Sequence, residues 1–229
     1  MTKVIAHRGA SAVRPENTVE AYRHARVLGA DMVELDARRT ADDSVWVLHD
    51  EHLEDGRSFF ETLPADLPPH VPSLATALDA CEGMGVNIEV KNVPIDVDWD
   101  PDERVARATV ALVQELGMQE RVLVSSFGIG AIDTVHELDP TIPTAFLTPW
   151  EVKPETIEQT VRKGHVALHP HEAFVDQELI DRCHALGLAV SCWTLDDPDR
   201  MALLVGWGID GICTNVPDVA RKVVDAASP

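Results

Sequence analysis

In the 229-residue chain, four short patterns bring together side chains that could do chemistry: His7-Arg8-Gly9, Glu34-x-Asp36, His49-Asp50 and Glu89-x-Lys91. Side chains on a β-strand alternate between its faces, so Glu34 and Asp36 share one face, as do Glu89 and Lys91. If both strands turn those faces inward, three carboxylates and an ammonium meet in one cavity. Burying such carboxylates without a cation is costly or forces protonation, and a divalent ion is the simplest remedy. The all-oxygen set Glu34, Asp36 and Glu89 favours Mg²⁺ or Ca²⁺ over zinc. Each fragment alone has a plainer reading. E-x-D is commonly a solvated strand edge, E-x-K a local ion pair, His-Asp a turn, and a single His7 a hydrogen-bonded core residue. Together they point to a metal-centred site.

The elements that must position these residues follow from periodicity. Short β-branched runs alternate with helical-period segments, the pattern of βα units around a parallel sheet. The strands expected are 4–6, 32–37, 86–90, 122–125, 144–147, 166–168, 188–193 and 211–213. The helices expected after them are 17–28, 74–82, 103–116, 129–137, 155–163, 177–186, 199–205 and 217–225. Pro154 and Pro217 suit first helical turns, while Gly29, Gly117, Gly164 and Gly187 suit helix ends. Eight units in this length describe a compact (β/α)8 TIM barrel, one domain over residues 1–229, with a doubly wound open sheet as the alternative. All four patterns then fall at strand ends on the C-terminal face, where barrel enzymes do their chemistry. A turn at Thr40-Ala41-Asp42-Asp43 followed by Val45-Trp46-Val47-Leu48 predicts a hairpin on the second strand. The Pro- and Gly-bearing stretch 50–71 reads as a short inserted loop or cap.

Composition narrows the partners. The chain carries 39 Asp and Glu against 19 Lys and Arg, a formal net charge of −20, a poor match for nucleic acid or an anionic membrane. Any phosphate must be held locally. The four cysteines lie far apart without a CxxC pair, which suggests reduced thiols and the cytoplasm. No apolar run is long enough to span a bilayer, and the residues before His7 are too few for a signal h-region.

Laid end to end, the patterns resemble a known family. His7-Arg8-Gly9, Glu16-Asn17-Thr18, Glu34-x-Asp36, His49-Asp50, Glu89-x-Lys91, Ser125-Ser126-Phe127, Trp193-Thr194 and Asp210-Gly211-Ile212-x-Thr214-Asn215 resemble, in order, the glycerophosphodiester phosphodiesterase family. The resemblance implies hydrolysis of small glycerophosphodiesters to an alcohol and glycerol phosphate, with a divalent cation on Glu34, Asp36 and Glu89. It also implies His7 and His49 as the acid/base pair, Arg8 and Lys91 as phosphate ligands, Trp193 as a wall of the glycerol subsite, and Glu16 as orienting the Arg8 side. The segment after His49-Asp50 departs from the family's usual Arg-Thr-Thr and longer cap, which bears on substrate range.

Two histidines, a metal and two cations supply what phosphodiester cleavage needs: a proton taken, a proton given, and charge stabilised on the phosphoryl oxygens. A lysophospholipase D specificity is the near alternative; a metal-dependent barrel lyase or aldolase and a non-catalytic binding protein are the distant ones. Trp150, His169 and His171 fall at strand ends as pocket or loop residues. Trp46 and Trp207 read as packing, Cys192 and Cys213 as buried, and 96–102 as a loop leading into a helix.

Overall fold

The structure, a computed structural model, describes residues 1–227; Ser228 and Pro229, inside the expected domain range, lie outside the described residues. The strands are β1 (Lys3–His7), β2 (Met32–Arg39), β3 (Val45–Val47), β4 (Gly85–Val90), β5 (Val122–Ser126), β6 (Thr144–Thr148), β7 (Ala167–Pro170), β8 (Ala189–Cys192) and β9 (Gly211–Thr214). The helices are α1 (Val19–Val27), α2 (Leu74–Ala80), α3 (Arg104–Leu116), α4 (Ile129–Leu138), α5 (Pro154–Arg162), α6 (Gln177–Ala185), α7 (Pro198–Gly206) and α8 (Pro217–Ala227). The sheet runs β1-β9-β8-β7-β6-β5-β4-β2-β3, and a β1–β2 pairing closes it. Eight strands are parallel, whereas β3 pairs antiparallel to β2 as the expected hairpin. This is a TIM barrel, and closure rules out the open doubly wound sheet.

Both faces of each strand are covered, which is why the strands read as apolar runs rather than as half-polar alternation. On β2, Val33, Leu35 and Ala37 are fully buried in the layer under the helices, while Glu34 and Asp36 take the opposite face. The helices bury matching stripes: α3 turns inward Val105, Ala106, Thr109, Val110 and Val113, the spacing of one helical face. Their starts are fixed by side-chain caps, as at Thr18, Ser73, Asp176 and Asp197, each accepting from a backbone N–H of the first turn.

Helix α1 begins two residues later than periodicity suggests. Asn17 takes a left-handed backbone (φ 55°) and sends its side chain into the barrel, leaving Thr18 as the cap. The segment 50–71 forms no α-helix and holds only two 3₁₀ turns, Phe59–Glu61 and Pro64–Asp66. A small core of Leu53, Phe59 and Val71, with Trp46, Leu48 and Leu67 against it, fastens this cap to the hairpin.

Candidate active site

Parallel pairing puts the chemical residues side by side. His7 is in register with Glu34 across β1–β2, and Asp36 with Glu89 across β2–β4. The three carboxylates offer oxygens that lie within 4.8 Å of one another. Asp36 is fully buried, Glu34 4% exposed and Glu89 8% exposed, so their charge cannot be left to solvent.

The protein's own cations answer part of that charge. Lys91 Nζ lies 2.9 Å from Asp36 Oδ1 and also pairs with Glu89 Oε1. Arg8 Nε is 3.2 Å from Asp36 Oδ2, and its other arm donates to Glu16 Oε1 at 2.9 Å, the orienting contact expected of Glu16. Asn17 Nδ2 donates to Asp36 Oδ2 at 2.7 Å and is itself held by the buried Tyr22 hydroxyl at 3.1 Å. Burial pushes the Asp36 carboxyl up, but Lys91 and Arg8 more than offset it and hold Asp36 below the ordinary carboxylate range. Glu34 goes the other way. Burial, reinforced by Asp36 and Glu89, drives it well above the ordinary range, and burial raises Glu89 as well. Glu34 Oε2 accepts from the Arg8 backbone N–H at 2.9 Å, but Oε1 is buried with no hydrogen-bond partner among the described residues. An unpartnered buried oxygen facing two more carboxylates fits a divalent cation.

The two histidines flank this group. His7 Nδ1 is 2.8 Å from Asn215 Oδ1. The backbone and side-chain N–H groups of Asn215 donate to Asp196, so Oδ1 is the atom left to accept, the hydrogen sits on His7 Nδ1, and Nε2 keeps its lone pair. Burial lowers the His7 pKa against the opposing bond from Asn215, keeping the ring neutral at neutral pH. His49 Nδ1 lies 2.7 Å from Asp50 Oδ1, an oxygen that can only accept, and the Arg38 Nε donates to the His49 carbonyl at 3.0 Å. A cavity of about 30 Å³, lined by His7, Glu34, Glu89, His169 and Trp193 among others, continues the site into the barrel. A groove of about 970 Å³ beneath the cap opens beside Glu16, Asn17 and His49. Trp193 stands on edge to Phe127 (5.2 Å) and His171 (5.1 Å), its indole N–H donating to the His169 carbonyl at 2.7 Å.

Residues 7–59 and 55–219 match the Glycerophosphoryl diester phosphodiesterase family. The chain belongs to this family. A Bacillus altitudinis glycerophosphodiester phosphodiesterase is 30% identical over 250 residues, covering 97% of this chain and 98% of the relative. A Caldanaerobacter subterraneus glycerophosphodiester phosphodiesterase is 28% identical over 249 residues, covering 97% and 98%. Among solved structures, an Oleispira antarctica phosphodiesterase in complex with the product sn-glycerol-3-phosphate superposes with a TM-score of 0.90 at 25% identity, covering 98% of this chain and 97% of that one.

Membership in the glycerophosphodiester phosphodiesterase family makes the chain an enzyme of the phosphoric diester hydrolase class, so the lyase, aldolase and pure binding readings fall. The family acts generally with a divalent cation, and this member carries an acidic cluster suited to one. The structure brings together His7, Arg8, Glu34, Asp36, Glu89 and Lys91, with His49 and Trp193 at the rim. Of the undecided residues, His169 lines the inner cavity, His171 buttresses Trp193, and Trp150 is 59% exposed, outside both the cavity and the groove. Asn17, Asn215 and Phe127 stood inside the family motifs without a role, and the fold gives each one. Trp46 and Trp207 pack as expected, and Cys192 and Cys213 are buried. Among the described residues no helix is long and apolar enough to cross a membrane.

Proposed function

We propose that this family member hydrolyses glycerophosphodiesters to an alcohol and sn-glycerol 3-phosphate, with one Mg²⁺ or Ca²⁺ ion held by Glu34, Asp36 and Glu89. The observation that carries the reading is the buried carboxylate trio with the unpartnered Glu34 Oε1 at the strand ends. The Oleispira relative's bound product, sn-glycerol-3-phosphate, supports the choice of product. When bound, the ion supplies positive charge to the phosphoryl oxygens and a fixed point for a substrate oxygen.

The chain's residues supply the rest. Arg8 and Lys91 face the site as cations, with Glu16 and Asp36 holding the guanidinium and Asp36 and Glu89 holding the ammonium. His7 takes the proton from the nucleophile at Nε2, since its other nitrogen is committed to Asn215. His49, anchored by Asp50, gives a proton to the leaving alkoxide. Trp193, steadied by Phe127 and His171, walls the glycerol side. Three carboxylates, two cationic side chains and a divalent ion sum to one positive charge, and the proton that His49 gives adds to it, which suits a phosphodiester monoanion.

On this reading residues 1–229 act as one barrel domain with 50–71 as its cap. Four free, buried thiols suit the cytoplasm, and the net charge of −20 disfavours nucleic acid and stable association with anionic membranes. Exhaustive chelation should abolish turnover, and adding back Mg²⁺ or Ca²⁺ should restore it. Glu34→Gln should lose metal affinity together with rate. Full activity in verified metal-free protein would overturn the assignment.

A further inference from the structure

A second acidic group lies beyond the barrel mouth. Glu51, directly after His49-Asp50, and Asp96 and Asp98, from the loop between β4 and α3, each offer a carboxylate oxygen within 4.8 Å of the other two. The loop holds them there by an inverted alternation. Ile95, Val97 and Trp99 are exposed, while Asp96 is half-buried and Asp98 is 5% exposed. Hydrophobicity alone would arrange them the other way, so the loop is held by what its aspartates meet. Asp98 Oδ2 lies 2.6 Å from the buried Arg38 guanidinium, whereas Asp98 Oδ1 is buried without a hydrogen-bond partner among the described residues. Among the described residues, Arg38 is the one cation that the ion pairs bring to this group. Arg104, on the neighbouring helix, turns instead to Asp43 and Asp100. Three carboxylates against one guanidinium leave two negative charges, the deficit a divalent cation cancels.

We propose that Glu51, Asp96 and Asp98 form a second divalent-cation site, separate from the barrel-mouth trio and suited to Ca²⁺. All the donors are oxygens, and they stand on two irregular segments, which matches the flexible coordination Ca²⁺ accepts better than the strict octahedron of Mg²⁺. Glu51 and Arg38 line the groove beneath the cap, so the site has solvent access. A bound ion ties the first turn of the cap to the β4–α3 loop. Asp98 holds Arg38, and Arg38 Nε donates to the His49 carbonyl at 3.0 Å, so the same tie steadies the backbone of a residue at the active-site rim. This proposal does not depend on the roles assigned to the barrel-mouth residues.

The test is calorimetric titration of the chelator-treated full chain with Ca²⁺, with thermal unfolding measured in parallel. Wild type is expected to bind two ions. The Glu51→Gln/Asp96→Asn double variant is expected to bind one, with the lost ion weakened by about tenfold or more. Those half-buried positions are chosen because Asp98→Asn would strand a buried Arg38 and endanger folding. Ca²⁺ should raise the melting temperature of Glu34→Gln but raise that of the double variant less than it raises wild type. One ion in wild type that Glu34→Gln removes and the double variant keeps overturns the second site, as do two ions in the double variant. An ion that the double variant loses and Glu34→Gln keeps upholds it, and the absence of any other ion would count against the barrel-mouth assignment alone.

Discussion

At the residue scale, the histidine ring that faces the carboxylates is set by its far nitrogen. His7 is committed through Nδ1 to Asn215, and Asn215 to Asp196, so the ring offers Nε2 to the site in one tautomer. His7→Gln is therefore expected to lower kcat by about 10²–10⁴-fold while metal affinity holds. Asn215→Ala, which frees the ring without removing it, should cost about 10–100-fold with KM little changed. Steady-state kinetics beside metal titration checks both, and wild-type turnover in His7→Gln would end its role. The chemical groups themselves were legible because acids and bases two positions apart on a strand can only share a face. Their supports were not. His7 and Asn215 are separated by 208 positions, and nothing local in Thr214-Asn215 signals the partner that barrel closure supplies. Asn17 likewise reads as a helix start, since its bond to Asp36 exists only once β2 lies beside the β1–α1 turn.

At the element scale, the turn leaving β1 is a tightly constrained connection to the site. Gly9 sits at φ +84°, and a Cβ there would stand 2.7 Å from the Ala21 carbonyl carbon. Gly9→Ala should cost more than about 1 kcal/mol, from both the backbone conformation and the clash. It should also loosen the Arg8 N–H on Glu34. Urea unfolding measures this, and a midpoint equal to wild type would contradict it. His169, inside the barrel on β7, gives one part of the pH dependence. Burial pushes its pKa down from 6.5 to about 4. Between those values the unfolded chain binds a proton that the native state does not, so stability is full above pH 6.5 and falls as pH drops toward 4. The loss is about 1.4 kcal/mol per pH unit across that window. Denaturation of His169→Gln at pH 7 and pH 4.5 should show a shallower fall than wild type; an identical fall would remove His169 as the cause. The strands and helices were readable because each barrel strand, buried on both faces, is a β-branched run punctuated by Gly and Pro. Element ends differ from the expected ones by at most two residues, as at α1, where the Thr18 cap sets the start. Segment 96–102 is a loop, as its composition suggests, but Arg38 gives Asp98 a buried place that composition does not reveal.

At the scale of the whole molecule, closure by the β1–β2 pairing assembles the site, since it puts His7 and Glu34 in register. The short cap leaves a groove of about 970 Å³ whose lining mixes polar side chains such as Glu16, His49, Asp50 and His52 with apolar ones such as Val47, Leu48 and Leu53. Such a mixed and open lining sorts one leaving alcohol from another weakly, since a single methylene contact is worth only about 1–3 kcal/mol. Values of kcat/KM for glycerophosphocholine, glycerophosphoethanolamine and glycerophosphoglycerol should thus fall within about 10³-fold of one another. A wider spread, or a strong preference for a lysophospholipid, would move the reading toward a lysophospholipase D specificity. If the barrel-mouth carboxylates hold the ion that drives the reaction, the cut is metal-dependent and leaves phosphate on glycerol. It is tested most directly by ³¹P NMR of glycerophosphocholine incubated with chelated enzyme, before and after a divalent ion is restored. No change is expected before addition, then sn-glycerol 3-phosphate with choline released; phosphocholine as the product, or glycerol phosphate formed in verified metal-free enzyme, would overturn the metal-dependent reading.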